Sequence, residues 1–178
     1  MCIRDRNNSD KIYDRFRNRL IVPIHDMQGR VVAFGGRSLD SQEPKYLNSP
    51  ESEIFEKGKM LFAFEKASSN IRKRDKALIV EGYFDGITLH SKGITNSVAS
   101  LGTALNKYQI SQLCRCTDNK NIILNFDSDN AGILATKRVI KEVESLSLHD
   151  QINLKILQLN DFKAVSYTHL TLPTKRIV

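Results

Sequence analysis

The 178-residue chain is 40% hydrophobic and 26% charged, with a formal net charge of +7 and three cysteines. This describes a globular chain with one core or two small lobes sharing a surface. It excludes a membrane helix, because no segment approaches the roughly 20 uninterrupted apolar residues such a helix needs, and no apolar signal region follows the N-terminus. The odd cysteine count, with no CxxC or Cys/His cluster, excludes structural zinc and leaves Cys2, Cys114 and Cys116 as expected free thiols in a reducing, cytoplasmic compartment.

The positive charge is uneven. Residues 1 to 80 balance at +5 and residues 81 to 178 at +2. A basic half attracts polyanions and makes their binding salt-dependent, without choosing between nucleic acid and another acidic partner.

In chain order, the opening "MCIRDR" does not continue the pattern that follows it, and neither does the closing "AVSYTHLTLPTKRIV". Both resemble translated sequencing-adapter DNA, so residues 1–6 and 164–178 are expected to be foreign tails outside the native fold. Without them the net charge falls to +4. Next, "RLIVPIHDMQGRVVAFGGRSL" (19 to 39) holds two β-rich runs around Asp26-Met27-Gln28-Gly29, a hairpin signal. "EPKYLNSPESEIFEKG" (43 to 58), with two prolines, reads as loop with at most a short helix. Apolar residues at 61, 64, 67 and 71 predict a helix over 60–73, and basic "RKRDK" (72 to 76) reads as a solvated linker.

From residue 77 the rhythm changes. Strand-like runs at 77–82, 95–100, 121–126 and 152–159 alternate with helical patterns around 83–91, 104–115 and 130–146. Alternation of this kind predicts an α/β fold with βαβ crossovers and a mostly parallel sheet flanked by helices, preceded by a smaller basic α+β subdomain. Its strand ends would lie along one edge, where α/β proteins build their sites.

Two acidic motifs fall on that edge. In "IVEGYFD", Glu81 leaves a strand and Asp85 follows on the first turn of the next helix. In "NFDSDNAG", Asp127 and Asp129 are one residue apart and point the same way if the backbone is extended. Taken alone, a DxD at a strand end is often a turn and helix cap, with Asp129 accepting backbone N–H groups. Occurring together in one sheet, the two motifs predict a single metal site, because so many carboxylates repel one another unless a hard divalent cation sits among them.

The stretch "ALIVEGYFDGITLHSKGITNSVASLGTAL" followed by "IILNFDSDNAG" resembles the Toprim domain. Upstream, "YDRFRNRLIVPIHDMQGRVVAFGGRSL", "PKYLNSPE" and "IFEKGKMLF" resemble the polymerase core of bacterial DnaG-type DNA primases. The resemblance covers about residues 10 to 163. It implies a partial basic subdomain over 7–75 and a Toprim domain over 76–163. It also implies an enzyme that synthesises short RNA primers from ribonucleoside triphosphates on single-stranded DNA, using Mg²⁺ or Mn²⁺. Carried over by position, Glu81, Asp127 and Asp129 would be catalytic and, with Asp85, would hold the metal. Arg15, Arg17, Arg19, Arg37, Lys45, Tyr46, Asn48, Ser49 and Lys57 would line the nucleotide and template path. The three arginines of "DRFRNR" would share one face if that stretch is extended.

The resemblance also has gaps. The family's third acidic motif, usually Asp-Pro-Asp, would fall just where "QLNDFKAVSY" departs from the pattern, with Asp161 as a partial substitute at most. The zinc-binding module that senses template and the module that contacts the replicative helicase match nothing in this sequence, which therefore reads as an interior fragment of a longer enzyme. Two other classes compete: a non-catalytic Toprim module binding DNA or a recombination partner, and a phosphatase or phosphoacceptor domain. The second wants a nucleophilic Asp near the first strand, where this chain has Glu81.

Overall fold

The computed structural model describes residues 4–6, 12–40, 43–146 and 151–157. A short ladder of β1 (Arg4–Arg6) and β2 (Ile12–Asp14) comes first and is antiparallel. The hairpin follows as β3 (Arg19–His25) and β4 (Val31–Ser38), and β5 (Tyr46–Asn48) adds to the free edge of β4. Its turn closes because the Asp26 carboxylate accepts the N–H groups of Gln28 and Arg30, each at 2.9 Å, while Gly29 takes the left-handed backbone at φ 79°.

The second layer is a parallel sheet in the order β7-β6-β8-β9: β6 (Ala77–Val80), β7 (Ser97–Ala99), β8 (Asn121–Asn125) and β9 (Asn153–Ile156). Between them run α2 (Tyr83–Ser91), α3 (Lys107–Cys114) and α4 (Asn130–Glu144), with α1 (Phe64–Arg74) before the sheet. Helices on a parallel sheet require near-continuous apolar strands. Ile79, Val98, Ile122 and Leu124 are accordingly fully buried, among Ala67, Ile71, Ile110, Leu113 and Val139 of the helices.

A second core cluster joins the layers. Ile24, Val32 and Ala33 of the hairpin sheet meet Phe55, Phe62, Val80, Tyr83 and Leu101. Phe62 and Ala99 exchange backbone hydrogen bonds at 2.9 and 3.2 Å, tying the approach to α1 onto the edge strand β7. Among the described residues no helix is long and apolar enough to cross a membrane.

Three expectations need correction. Residues 15–18 are not extended: β2 stops at Asp14 and Asn18 turns the chain at φ 47°, so Arg15, Arg17 and Arg19 do not share a strand face. The 43–58 segment contains a strand, β5, because Tyr46–Asn48 find the open ladder of β4; only Lys57–Lys59 form a 3-10 turn. The "linker" 72–76 is mostly helix. α1 runs to Arg74, its last-turn Arg72, Lys73 and Arg74 suit the negative helix end, and Asp75 caps it at φ 48°. The Asp75 carboxylate then accepts N–H groups from Asp118, Asn119 and Asn121, which pins the α3–β8 loop and holds its pKa below the usual carboxylate range. Cys114 ends α3 and Cys116 lies just beyond it, both free and buried. Asp161 and the segment 164–178 lie outside the described residues.

Candidate active site

The register of the parallel sheet decides where the acidic motifs go. Val80 of β6 pairs with Ala99 of β7 on one side and with Asn125 of β8 on the other. The residues that leave these strands, Glu81 and Asp127, therefore emerge side by side at the same sheet edge. Asp129 caps α4, its Oδ1 accepting the Gly132 N–H at 2.8 Å, and Asp85 lies in the first turn of α2. All four line one cleft of about 940 Å³.

Their electrostatics are mutually adverse. Burial, and then the charges of Asp129 and Asp85, raise the Glu81 pKa; the backbone N–H of Asp127 pulls the other way. Asp127 is pushed up to about 6 by burial and by Glu81, Asp85 and Asp129. Glu81 Oε2 is buried and has no hydrogen-bond partner. Among the described residues no three acidic, histidine or cysteine side chains stand close enough to close a ligand set around one ion. The arrangement is an open acidic pocket, with room for ligands that the protein does not supply.

Two glycines let the backbone come this close. A Cβ on Gly132 would run into the Asp127 carbonyl oxygen and lie 2.8 Å from its carbon and 3.0 Å from its nitrogen. A Cβ on Gly82, the N-cap of α2, would sit 2.9 Å from Asp85 Oδ2. The capping reading of Asp129 and its place in the acidic cluster thus hold together, since the cap is what turns the chain so that Asp127 and Asp129 face the same space.

The cleft is also lined by basic and aromatic residues. Arg37 of β4 lies 5.2 Å from the Phe84 ring centroid and 6.0 Å from that of Tyr46, and Lys45 lies 5.7 Å from the Tyr46 ring. Tyr46 is 46% exposed and meets Tyr83 edge-on at 5.8 Å. Asn48 reaches across to the loop after β7, donating Nδ2 to Leu101 O at 2.9 Å. The Tyr83 phenol is buried, which pushes its pKa up to about 12.

Arg37, Lys45, Tyr46 and Asn48 therefore share the cleft with Glu81, Asp85, Asp127 and Asp129. The other sequence candidates do not line it. Ser49 is buried and latches β5 to β4, its Oγ accepting the Phe34 N–H at 3.0 Å. Arg19 donates to Pro44 O, Arg17 to Asp14 O while lying against Tyr13, and Arg15 to Asn48 O at 3.4 Å. Lys57 sits in the 3-10 turn, its carbonyl oxygen accepting from Gln109 Nε2 of α3 at 3.3 Å. Sequence reasoning missed Tyr83, Phe84, Ser100 and Gly102, which also line the cleft. Tyr83 and Phe84 stood inside "EGYFD", but nothing local marked them, because their neighbours lie in β4 and β5.

Comparison with known proteins places the chain among relatives. The family described as "DNA primase catalytic core, N-terminal domain" matches residues 1–68, and the one described as "Toprim-like" matches residues 78–165. A DNA primase of Synechococcus elongatus is 56% identical over 154 residues, covering 86% of this chain and 22% of that protein. One from Synechocystis is 48% identical, covering 98% and 28%. Among solved structures, a DNA primase domain from Pseudomonas aeruginosa superposes with a TM-score of 0.85 at 40% identity, over 92% of this chain and 50% of that one. A DnaG primase catalytic domain bound to single-stranded DNA gives 0.80 at 37% identity, over 92% and 52%. The chain thus spans about a quarter of the curated relatives' length and half of the solved cores. The primase-specific match of the first 68 residues favours primase over a free-standing Toprim recombination module. With the N-terminal domain of the primase catalytic core and a Toprim-like domain matched in order and the fold superposing over 92% of its length, the chain belongs to the bacterial DnaG-type DNA primase family.

Proposed function

We propose that the cleft is the nucleotidyl-transfer centre of a DNA-dependent RNA polymerase making short RNA primers on single-stranded DNA for replication. The observation that carries this reading is the convergence of Glu81, Asp85, Asp127 and Asp129 on one cleft, where burial and the neighbouring carboxylates raise the pKa of Glu81 and of Asp127. Hard carboxylate oxygens in an open set, one of them buried without a partner, fit Mg²⁺ or Mn²⁺, which is held by few carboxylates and completes its shell with water and phosphate oxygens. Bound there, the cation would neutralise triphosphate charge and lower the barrier to attack by a primer 3′-hydroxyl.

The chain's own residues do the positioning. Glu81 and Asp127, fixed at adjacent strand ends, present their carboxylates to the cation, and Asp129 is held by its cap. Arg37 and Lys45 line the same cleft, suited to phosphate oxygens whatever the template sequence. The exposed Tyr46 ring offers a stacking face that tolerates any base. Contact with a replicative helicase belongs, on this reading, to sequence outside the matched residues.

The test is RNA synthesis from ribonucleotides on single-stranded DNA with Mg²⁺ or Mn²⁺, with these residues joined to the remaining sequence of a full-length primase. Glu81→Gln abolishes product and weakens Mn²⁺ binding to the chain itself. Full synthesis by Glu81→Gln would remove Glu81 from the mechanism.

A further inference from the structure

Two polar atoms in the cleft wall that are not carboxylate oxygens are buried and unsatisfied: the Tyr83 hydroxyl and Asn48 Oδ1. A buried polar atom left without a partner costs free energy, so a native structure that keeps two of them side by side invites an explanation. Tyr83 is 5% exposed, and its ring is held by Tyr46, Phe62 and Phe84, with centroids at 5.8, 5.7 and 5.1 Å. The hydroxyl therefore cannot swing away to find a partner. Asn48 is fixed as well, because its Nδ2 donates to Leu101 O, which leaves Oδ1 as the free end and settles its role as an acceptor.

The strand behind them is shaped for this pair. A Cβ on Gly35 would lie 3.2 Å from the Tyr83 hydroxyl and 3.2 Å from Asn48 Oδ1, so glycine at that point makes room for both. Since both atoms lie at that distance from one point, their separation is at most twice it, yet they make no hydrogen bond to each other. One oxygen placed between them can lie at hydrogen-bond distance from each. The phenol donates and the amide oxygen accepts, and an atom that accepts from one while donating to the other is an oxygen carrying hydrogen, that of a hydroxyl or of a water.

We propose that Tyr83 and Asn48 form a sugar-hydroxyl subsite that reads a ribose hydroxyl of the ribonucleoside triphosphate in the cleft. The inference rests on the reading of the cleft as a nucleotide site and adds a basis for choosing ribose over deoxyribose. A purine or pyrimidine edge is a poorer occupant, because it spreads donor and acceptor over separate atoms and differs between bases. Sites built around a substrate hydroxyl discriminate against analogues lacking it, since the buried partners are then left unpaired.

The test is equilibrium binding of ATP, 2′-deoxyATP and 3′-deoxyATP to this chain with Mn²⁺, for wild type, Tyr83→Phe and Gly35→Ala. Wild type binds ATP about tenfold more tightly than one of the two deoxy analogues, the size expected from one or two neutral hydrogen bonds. The analogue that loses affinity identifies which hydroxyl is read. Tyr83→Phe weakens ATP alone and erases the difference, leaving the deoxy analogue unchanged and the urea midpoint no lower than wild type; Gly35→Ala, which crowds both atoms, erases it too. If wild type binds all three nucleotides equally, or Tyr83→Phe keeps the preference, the subsite is refuted while the nucleotide site stands. A lower urea midpoint for Tyr83→Phe with selectivity intact would mean the pair holds only a structural water, and refutes it as well. Failure of wild type to bind any of the three sinks the nucleotide reading itself and this subsite with it.

Discussion

Replacing Gly132 by alanine sets two effects of opposite sign against each other. Gly132 is the third residue of α4, and alanine is favoured over glycine in a helix interior by about 1 kcal/mol. Against this, the new Cβ would meet Asp127 backbone: its carbonyl oxygen most closely, its carbon at 2.8 Å and its nitrogen at 3.0 Å, where ordinary contact begins at 3.4 Å. Backbone cannot rotate out of the way as a side chain can, so α4 and the Asp127 turn must separate by more than half an ångström. Overpacking of this kind costs about 1–3 kcal/mol, and the upper end applies where only main chain can yield. The expected net change is a loss of about 2 kcal/mol, read as a lower urea midpoint with unchanged slope. The same displacement moves Asp127 and loosens the Asp129 cap, so Mn²⁺ affinity measured by titration falls at least tenfold. A Gly132→Ala chain as stable as wild type, or binding Mn²⁺ as well, would refute the claim that this contact sets the Asp127 position.

Asp127→Asn tests the repulsion within the cluster. Because the folded pKa lies near 6 and the ordinary value near 3.8, the folded chain binds the extra proton, so the stability contributed by the neutral form is complete below about pH 4 and is lost as pH rises through 6. A shift of about two pKa units corresponds to about 3 kcal/mol, which solvent screening at this partly exposed group reduces to about 1–2 kcal/mol. Without divalent metal, Asp127→Asn therefore raises the urea midpoint at pH 7, hardly changes it at pH 4, and removes the stabilisation that Mn²⁺ gives wild type; a variant less stable than wild type at pH 7 would contradict the reasoning. Arg37→Ala, on the proposed role in phosphate contact, weakens single-stranded DNA binding alike for all sequences and lowers the slope of log affinity against log salt by about one. An unchanged slope would assign Arg37 to packing against Phe84 and Tyr46 instead.

What could be read locally was read well. The spacing around 83–91 matches α2, and the runs at 77–82 and 121–126 become β6 and β8, because a strand buried on both faces needs an uninterrupted apolar run and leaves that mark in any sequence. Local patterns misled where a neighbour far along the chain decided the outcome. Tyr46–Asn48 looked like loop until β4 offered an unpaired edge, and the alternating arginines lost their common face to one left-handed residue, Asn18.

The sequence by itself determined that two acidic motifs would sit at the ends of parallel strands in one sheet, because strand periodicity and βαβ chain order are written in neighbouring residues. Only the tertiary structure decided how those carboxylates meet, and what faces them. Register set Val80 opposite both Ala99 and Asn125, Gly132 let α4 close onto Asp127, and Gly35 made room for Tyr83 from 48 positions away in the chain. Such approaches depend on distances between backbones that pair only after folding, and no local stretch of residues records them.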